Sequence, residues 1–399
     1  MFETKLNLLH FQFFSSSQTG LCYRNKGVLR LDVQLETVLS SLPVILLTAT
    51  QIMHSFMSVK TSIRNNFAQL LFQMKLTAPE RRGYGCLSIA TFHRVLPKAE
   101  RKSYPFPGLV VTPEELDIFL TYFTKYFDCG TLATQHNRFL RNDISTHPLL
   151  ALTFDDGQYD NFTNARPVLA RHNVKASFFV PVSAVEKQEL LWHDQLGFAV
   201  LRLLDQAEGG RDQLKVILSG LGLSASSSHN MINHIARAAK NLTLEARLKL
   251  VEMLIDVSGM IHAPEYARLM TFDEISKLAK DGHEIGSHSM THCLMTECDD
   301  SALAYEVTHS RQVLQERLGI TIETFCYPNG NSDARTANAV AQAGYRRAVS
   351  TTWGCNGKNS DSFILRRYDM TAKRVQDSNG KFSPALLALR MSGFYPGLG

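Results

Sequence analysis

The chain has 399 residues, 44% hydrophobic and 20% charged, and 42 basic against 37 acidic side chains give a formal net charge of +5. That length and composition suit one large α/β domain or two ordinary ones and exclude a disordered or fibrous chain. The charge is spread without a Lys/Arg block or basic–aromatic motif, so nucleic acid is not an expected partner. Seven cysteines form no CxxC pair and leave an odd count, a poor disulfide framework that points to a reducing, cytoplasmic compartment.

Residues 1–56 differ in character from the remainder of the chain. "TVLSSLPVILLTAT" (37–50) is apolar but broken by Pro43 and by Ser and Thr. It falls short of the ~20 strongly apolar residues of a spanning helix, and it lies too far from the start for an ordinary signal peptide. A membrane anchor is therefore not favoured. Met57 opens "MSVKTSIRNNFAQLLFQMKL", which reads as a natural start. Residues 1–56 are expected to be an extension and 57–399 the folded domain.

From residue 86 onward, short β-type runs alternate with helical stretches, the pattern of a parallel sheet or barrel. "CLSIATFH" (86–93) is the first strand. A helix over 112–127 comes next, with Thr112 and Glu115 as a capping box and Pro113 at its first position. Leu116, Phe119, Leu120, Phe123 and Phe127 recur at helical spacing and form its buried stripe. "LLALTFDD" (149–156) and "KASFFVP" (175–181) are the next strands. The rhythm then breaks over 191–265, where amphipathic helical runs separated by a loop at 219–230 predict a helical insertion. It resumes with a helix over 271–282, capped by Thr271 and Glu274 and stopped by Gly282. Strands at 283–289, 322–328, 346–351 and 363–370 complete the series, with helices near 300–318 and 333–343 between them.

Two strand ends carry the chemistry. In "ALTFDDGQYDN" (151–161), Asp155 and Asp156 stand side by side where a buried strand should finish. Inside a strand neighbouring side chains face opposite ways, but at its end Gly157 permits a turn that aims both carboxylates into one cleft. An Asx turn with two solvated acids is the alternative. In "GSHSMTHCLM" (286–295), His288 and His292 stand four apart just after a strand, and a helical turn would point both imidazoles at one place. Two histidines and one carboxylate leave open positions, as a catalytic metal site requires. Cys293 and Cys298 are expected to pack as small apolar residues rather than ligands.

Together these segments resemble the first two motifs of the NodB-type polysaccharide deacetylases, carbohydrate esterase family 4. The resemblance covers about 149–370, and "FHRVLP" (92–97) extends it back to about residue 86. It implies a distorted (β/α) barrel of about seven parallel strands, a NodB-like core over 149–370 carrying the insertion. It further implies a divalent metal, usually zinc, on Asp156, His288 and His292, with Asp155 as general base on the attacking water. The substrate class is an N-acetylated polysaccharide, oligosaccharide or glycolipid sugar, and the reaction is hydrolysis of a non-peptide C–N bond.

The departures from the family pattern are specific. The third motif reads "CYPNG" (326–330); the Asn329 amide can still meet an oxyanion, whereas Cys326 cannot replace the arginine that orients the base. Arg367 is the candidate substitute. The C-terminal Leu-x-His motif is missing, so His93, in a segment like the early tyrosine–histidine motif of the poly-N-acetylglucosamine branch, is the candidate acid, with His193 the fallback. Trp192 opens the insertion and, with Tyr327, is expected to line the sugar cleft. Hydrolysis of an ester or another amide at the same site, and a non-catalytic glycan-binding barrel, are the competing readings.

Overall fold

Ten strands form among the described residues, most of them on β-branched or aromatic residues: β1 Ser88–Phe92, β2 Arg94–Val95, β3 Val110–Val111, β4 Asp128–Gly130, β5 Leu149–Phe154, β6 Ser177–Val180, β7 Glu284–Ser287, β8 Thr324–Cys326, β9 Arg347–Trp353 and β10 Leu365–Asp369. The structure is a computed structural model that describes residues 62–393 except 80–84, 144, 207–208, 221, 223–230 and 260–262. They belong to a compact unit, Ser58–Gly399. The expected extension over 1–56, its apolar run and the start at Met57 lie outside the described residues.

Eight strands make one sheet in the order β1–β10–β9–β8–β7–β6–β5–β4, every pairing of which is parallel. β1 also pairs with β5 along its whole length, from Ser88↔Leu150 to Phe92↔Phe154. That second pairing closes β1 and β5–β10 into a seven-stranded parallel barrel, the fold class expected. β2 and β3 pair separately.

Alternation along each strand sorts the core into two layers. Ala90, Phe92, Leu150, Leu152, Phe154 and Phe178 point outward into the layer under the helices. Ile89, Ala151, Phe179, Cys326, Val349 and Leu365 fill the barrel interior. Phe92, Phe154 and Phe178 sit opposite one another on β1, β5 and β6, and their rings stack at 5.3 and 5.0 Å. This ladder rewards one register, because a one-residue slip would turn the three rings inward.

Locally encoded helices match the sequence closely. The Pro113–Tyr126 helix starts at a capping box of Thr112 and Glu115, and its apolar stripe, with Phe127 beyond it, is buried. Phe272–Lys280 begins at a second box, Thr271 with Glu274. Asp300–Leu318 ends in left-handed Gly319, which no side chain would fit as easily.

Across 191–265, between β6 and β7, stand four α-helices, Trp192–Asp205, Gly210–Gly220, Met231–Lys240 and Leu244–Ser258, and no strand among the described residues. The first is buried at five consecutive positions, Leu196 to Val200, and so is covered on more than one side. Together the four enclose their own apolar cluster around Leu196, Leu203, Leu214, Ile235, Leu250 and Leu254. The expected loop at 219–230 starts later, because the second helix reaches Gly220; 221 and 223–230 lie outside the described residues. A buried arginine, Arg247, joins this layer to the loop after β7. Its guanidinium donates to the carbonyls of Ala239 at 3.2 Å and Leu242 at 3.0 Å and pairs with Glu297 at 2.9 Å.

Candidate metal and catalytic site

The carboxyl ends of the barrel strands converge on one cavity of about 340 Å3, whose walls include His93, Asp155, Asp156, His288, His292 and Asn329. Each arrives just beyond the end of a strand, which is where a parallel barrel gathers positions distant in sequence.

Backbone geometry explains how two adjacent aspartates share this mouth. Asp155 keeps the inward parity of Ala151 and Thr153, and its N–H still donates to the Phe92 carbonyl at 3.0 Å. Asp156 then turns left-handed, with φ 73°, and Gly157 continues the turn with φ 61°. The reversal thus begins at Asp156 itself, a residue type that tolerates this region, and both carboxylates stay buried in the mouth.

Asp155 is clamped. Arg367, fully buried on β10, donates Nη1 to Oδ1 and Nη2 to Oδ2, each at 2.8 Å, the two-pronged geometry of a strong arginine–carboxylate pair. The guanidinium is itself fixed by the Ser350 carbonyl at 2.7 Å and Thr91 Oγ1 at 2.9 Å. A slip in the β9–β10 register between Leu365 and Arg367 accompanies this insertion. Burial alone would push Asp155 up; the charge of Arg367 reverses that and holds the carboxyl below its ordinary value. Cys326 Sγ lies 3.4 Å from Arg367 Nη2 and 3.7 Å from Asp155 Oδ2, and burial raises its thiol.

Asp156 lies between two imidazoles. Its Oδ1 is 3.3 Å from Nε2 of both His288 and His292, and the rings stand 4.8 Å apart at 73°. His288 Nδ1 donates to the Cys326 carbonyl at 2.8 Å, since a carbonyl only accepts, which turns Nε2 toward Asp156; against burial, Cys326 and Asp156 hold this imidazole well above its ordinary value. His292 Nδ1 is buried without a hydrogen-bond partner, and burial pushes this imidazole down to about 4, so it stays neutral. Against burial, the hydrogen bonds from His288 and His292 hold Asp156 well below the usual carboxylate range. The histidines do not converge through a helical turn. The segment is irregular, with left-handed Ser289 (φ 65°) and His292 (φ 58°), and Ser289 Oγ accepts the His292 N–H at 2.9 Å.

Asp156, His288 and His292 offer three buried donor atoms within 4.8 Å of one another, and Asp155, His288 and Cys326 form a second such group. The first fits a divalent metal better, because Arg367 already occupies both oxygens of Asp155 and the Cys326 thiol is held protonated. One carboxylate and two imidazoles are a donor set that suits zinc and its neighbours.

The other predicted residues fall around this centre. His93 Nε2 is 3.9 Å from Asp155 Oδ2, with its side chain 20% exposed to the cavity. Asn329 has left-handed backbone (φ 57°), and its Oδ1 accepts from Lys240. Tyr327 is fully buried and spends its hydroxyl on the Phe363 carbonyl at 2.9 Å, so only its ring serves the wall. Trp192 is a wall residue with Arg247 5.3 Å above its ring. His193 stands 5.7 Å from His292, ring to ring. Cys293 and Cys298 lie off the donor cluster, sulfur to sulfur at 3.2 Å.

Sequence reasoning missed three features. Lys240 and Arg237 reach the cavity from the insertion, with no motif to mark them. Arg94, next to His93, pairs with Asp160 at 2.6 Å and lies 3.7 Å from Asp194, although "FHRVLP" and "TFDDGQYD" each display one member of the pair. Asp194, wholly buried, also accepts from Tyr104 at 2.6 Å, so this network fastens the insertion beside the site.

The sequence model of the family described as polysaccharide deacetylase matches residues 143–217 and 254–348. Those two stretches contain Asp155, Asp156, His288, His292 and Asn329, and they omit the insertion's middle. Among solved structures, the Streptococcus pyogenes deacetylase PplD in complex with acetate is similar at a TM-score of 0.51 and 15% identity, over 77% of this chain and 98% of that one. IcaB from Ammonifex degensii is similar at a TM-score of 0.47 and 15% identity, over 76% and 96% of the two chains. No curated protein matches the sequence. No helix among the described residues is long and apolar enough to cross a membrane.

Proposed function

The chain belongs to the polysaccharide deacetylases, hydrolases of non-peptide carbon–nitrogen bonds, and from that premise we propose that it removes N-acetyl groups from a glycan or glycolipid sugar with the help of a divalent metal, zinc by its donor set. The observation that carries this reading is the division between the two aspartates: Asp156 lies against two imidazoles at 3.3 Å, while Asp155 is held by Arg367 in the same cavity.

Asp156, His288 and His292 would hold the ion, which supplies Lewis acidity and makes water ionisable near neutral pH. Asp155 accepts the attacking water's proton. Arg367 keeps that carboxylate ionised and oriented between events, which a flexible surface acid would not be. The Asn329 N–H, just after β8, is offered to the oxygen on which charge develops. His93, across Asp155 and open to the cavity, delivers a proton to the departing amine, a poor leaving group when unprotonated.

The test is acetate release from a panel of N-acetylglucosamine oligomers and lipid-linked sugars, before chelation, after it, and after zinc is restored. Acetate that appears only with metal is expected. Equal release by the chelated protein would remove the metal from the proposal, and release from none of the sugars would remove the substrate class.

A further inference from the structure

The Met231–Lys240 helix presents Asn233, Ala236, Arg237 and Lys240 to the cavity, positions that recur at three and four and so share one face. Phe106, Leu109, Trp192 and Leu294 line the same cavity. The charges of this cavity do not balance. Asp155 is neutralised by Arg367, and Asp156 is committed to His288 and His292. These are the acidic groups of the wall. Lys240 is half-buried, its ammonium lowered from the ordinary value by burial, and its hydrogen bond goes to the neutral Asn329 Oδ1. Among the described residues neither Lys240 nor Arg237 has an ion-pair partner, whereas the buried Arg94, Arg247, Arg347 and Arg367 all do. Arg237 is exposed, but withdrawing the Lys240 ammonium from water without a counter-charge costs stability, and a metal ion on the donor cluster would make the cavity more positive still.

We propose that Lys240 and Arg237 recognise an anionic substituent, a phosphate or a carboxylate, on the N-acetyl sugar or on its immediate neighbour. This rests on the deacetylase reading and adds the substrate's charge to it. The sugar face lies along Trp192, Phe106 and Leu109, and the anion meets the two cations on the insertion. Carboxylate and phosphate share the acceptor chemistry that both side chains satisfy. The insertion is thereby a selector as well as a wall.

The experiment compares N-acetylglucosamine 1-phosphate, N-acetylglucosamine 6-phosphate and N-acetylmuramic acid with neutral N,N'-diacetylchitobiose. For the wild type and for Lys240→Met and Arg237→Met, two quantities are read: kcat/KM for acetate release, and affinity by calorimetry at low and high salt. The charged sugars should bind more tightly, with salt weakening them alone. Each substitution should lower the charged-to-neutral ratio of kcat/KM by about 10- to 100-fold, the usual worth of a hydrogen bond to a charged group. Whichever charged sugar wins assigns phosphate or carboxylate. A ratio that stays constant in both variants, or a preference for the neutral dimer, overturns the inference and leaves the deacetylase reading in place. Lys240-dependent binding of the charged sugars without acetate from any sugar would do the reverse. Neither binding nor release would overturn both.

Discussion

At the scale of single residues, the two aspartates are chemically alike and differ only in neighbours. Asp155→Asn should keep bound metal, measured by elemental analysis, and lose about 10²–10⁴-fold in turnover, because an amide cannot take the water's proton. Asp156→Asn should lose the metal itself. Equal metal loss in the two variants would show that the roles are not divided. His93→Ala should bind metal normally and lose about 10²–10⁴-fold on an amide, but less on an ester whose leaving group departs unprotonated. Losses of the same size on both substrates would move the acid elsewhere, His193 first. The residues of this centre were legible in the sequence because each closes a strand with a side chain of restricted chemistry. Their conformations were not: the sequence pointed to Gly157 as the turn, whereas the reversal starts at Asp156, and no pattern marked Ser289 and His292 as left-handed.

Among the secondary-structure elements, what is encoded locally was readable and what needs a distant partner was not. Capping boxes lie within four residues of sequence, so Thr112–Glu115 and Thr271–Glu274 announce their helices. Arg94 and Asp160 are 66 positions apart, and Arg247 and Glu297 are 50 apart; sequence gives no cue that such pairs meet. The turn into β7 shows another such contact. His283 is buried beside Phe178, ring centroids 5.3 Å apart, and its Nδ1 accepts the Ala176 N–H at 3.1 Å. Burial, helped by Lys175, pushes this imidazole down to about 4. The unfolded chain, with an ordinary histidine near 6.5, therefore takes up a proton that the folded chain refuses. The stability tied to His283 is complete above about 6.5, falls as pH drops toward 4, and levels off below, at about 1.4 kcal/mol per unit at most. His283→Asn, whose amide oxygen can accept the same N–H, should give a flatter fall in Tm between pH 6.5 and 4 than wild type. Parallel curves would exclude His283 from the acid response.

Across the whole molecule, the barrel closes where the first strand of its ring meets both the last and the second: β1 against β10 and β5. Thr91 and Arg367, joined at 2.9 Å, are 276 positions apart. Ring closure over such a span is among the slow steps of folding, since the loop's entropy is lost before the contacts return anything. During synthesis Asp155 emerges long before Arg367 exists. Until then the carboxylate has no cation to hold it, and β1 and β9 each keep an open edge, the kind of surface on which unfinished chains aggregate. In refolding from denaturant, amide protection in β5, β6 and β7 should precede protection of Met370, whose N–H bonds to the Thr91 carbonyl at 3.0 Å, and acetate release should return with the later event. Hydrolysis that returned with the early strands would dissociate the clamp from the seam. Otherwise a nascent chain, or one clipped ahead of Leu365, should be silent: the seam that completes the barrel also brings Arg367 to Asp155, the proposed base, so hydrolysis should wait for the closed ring.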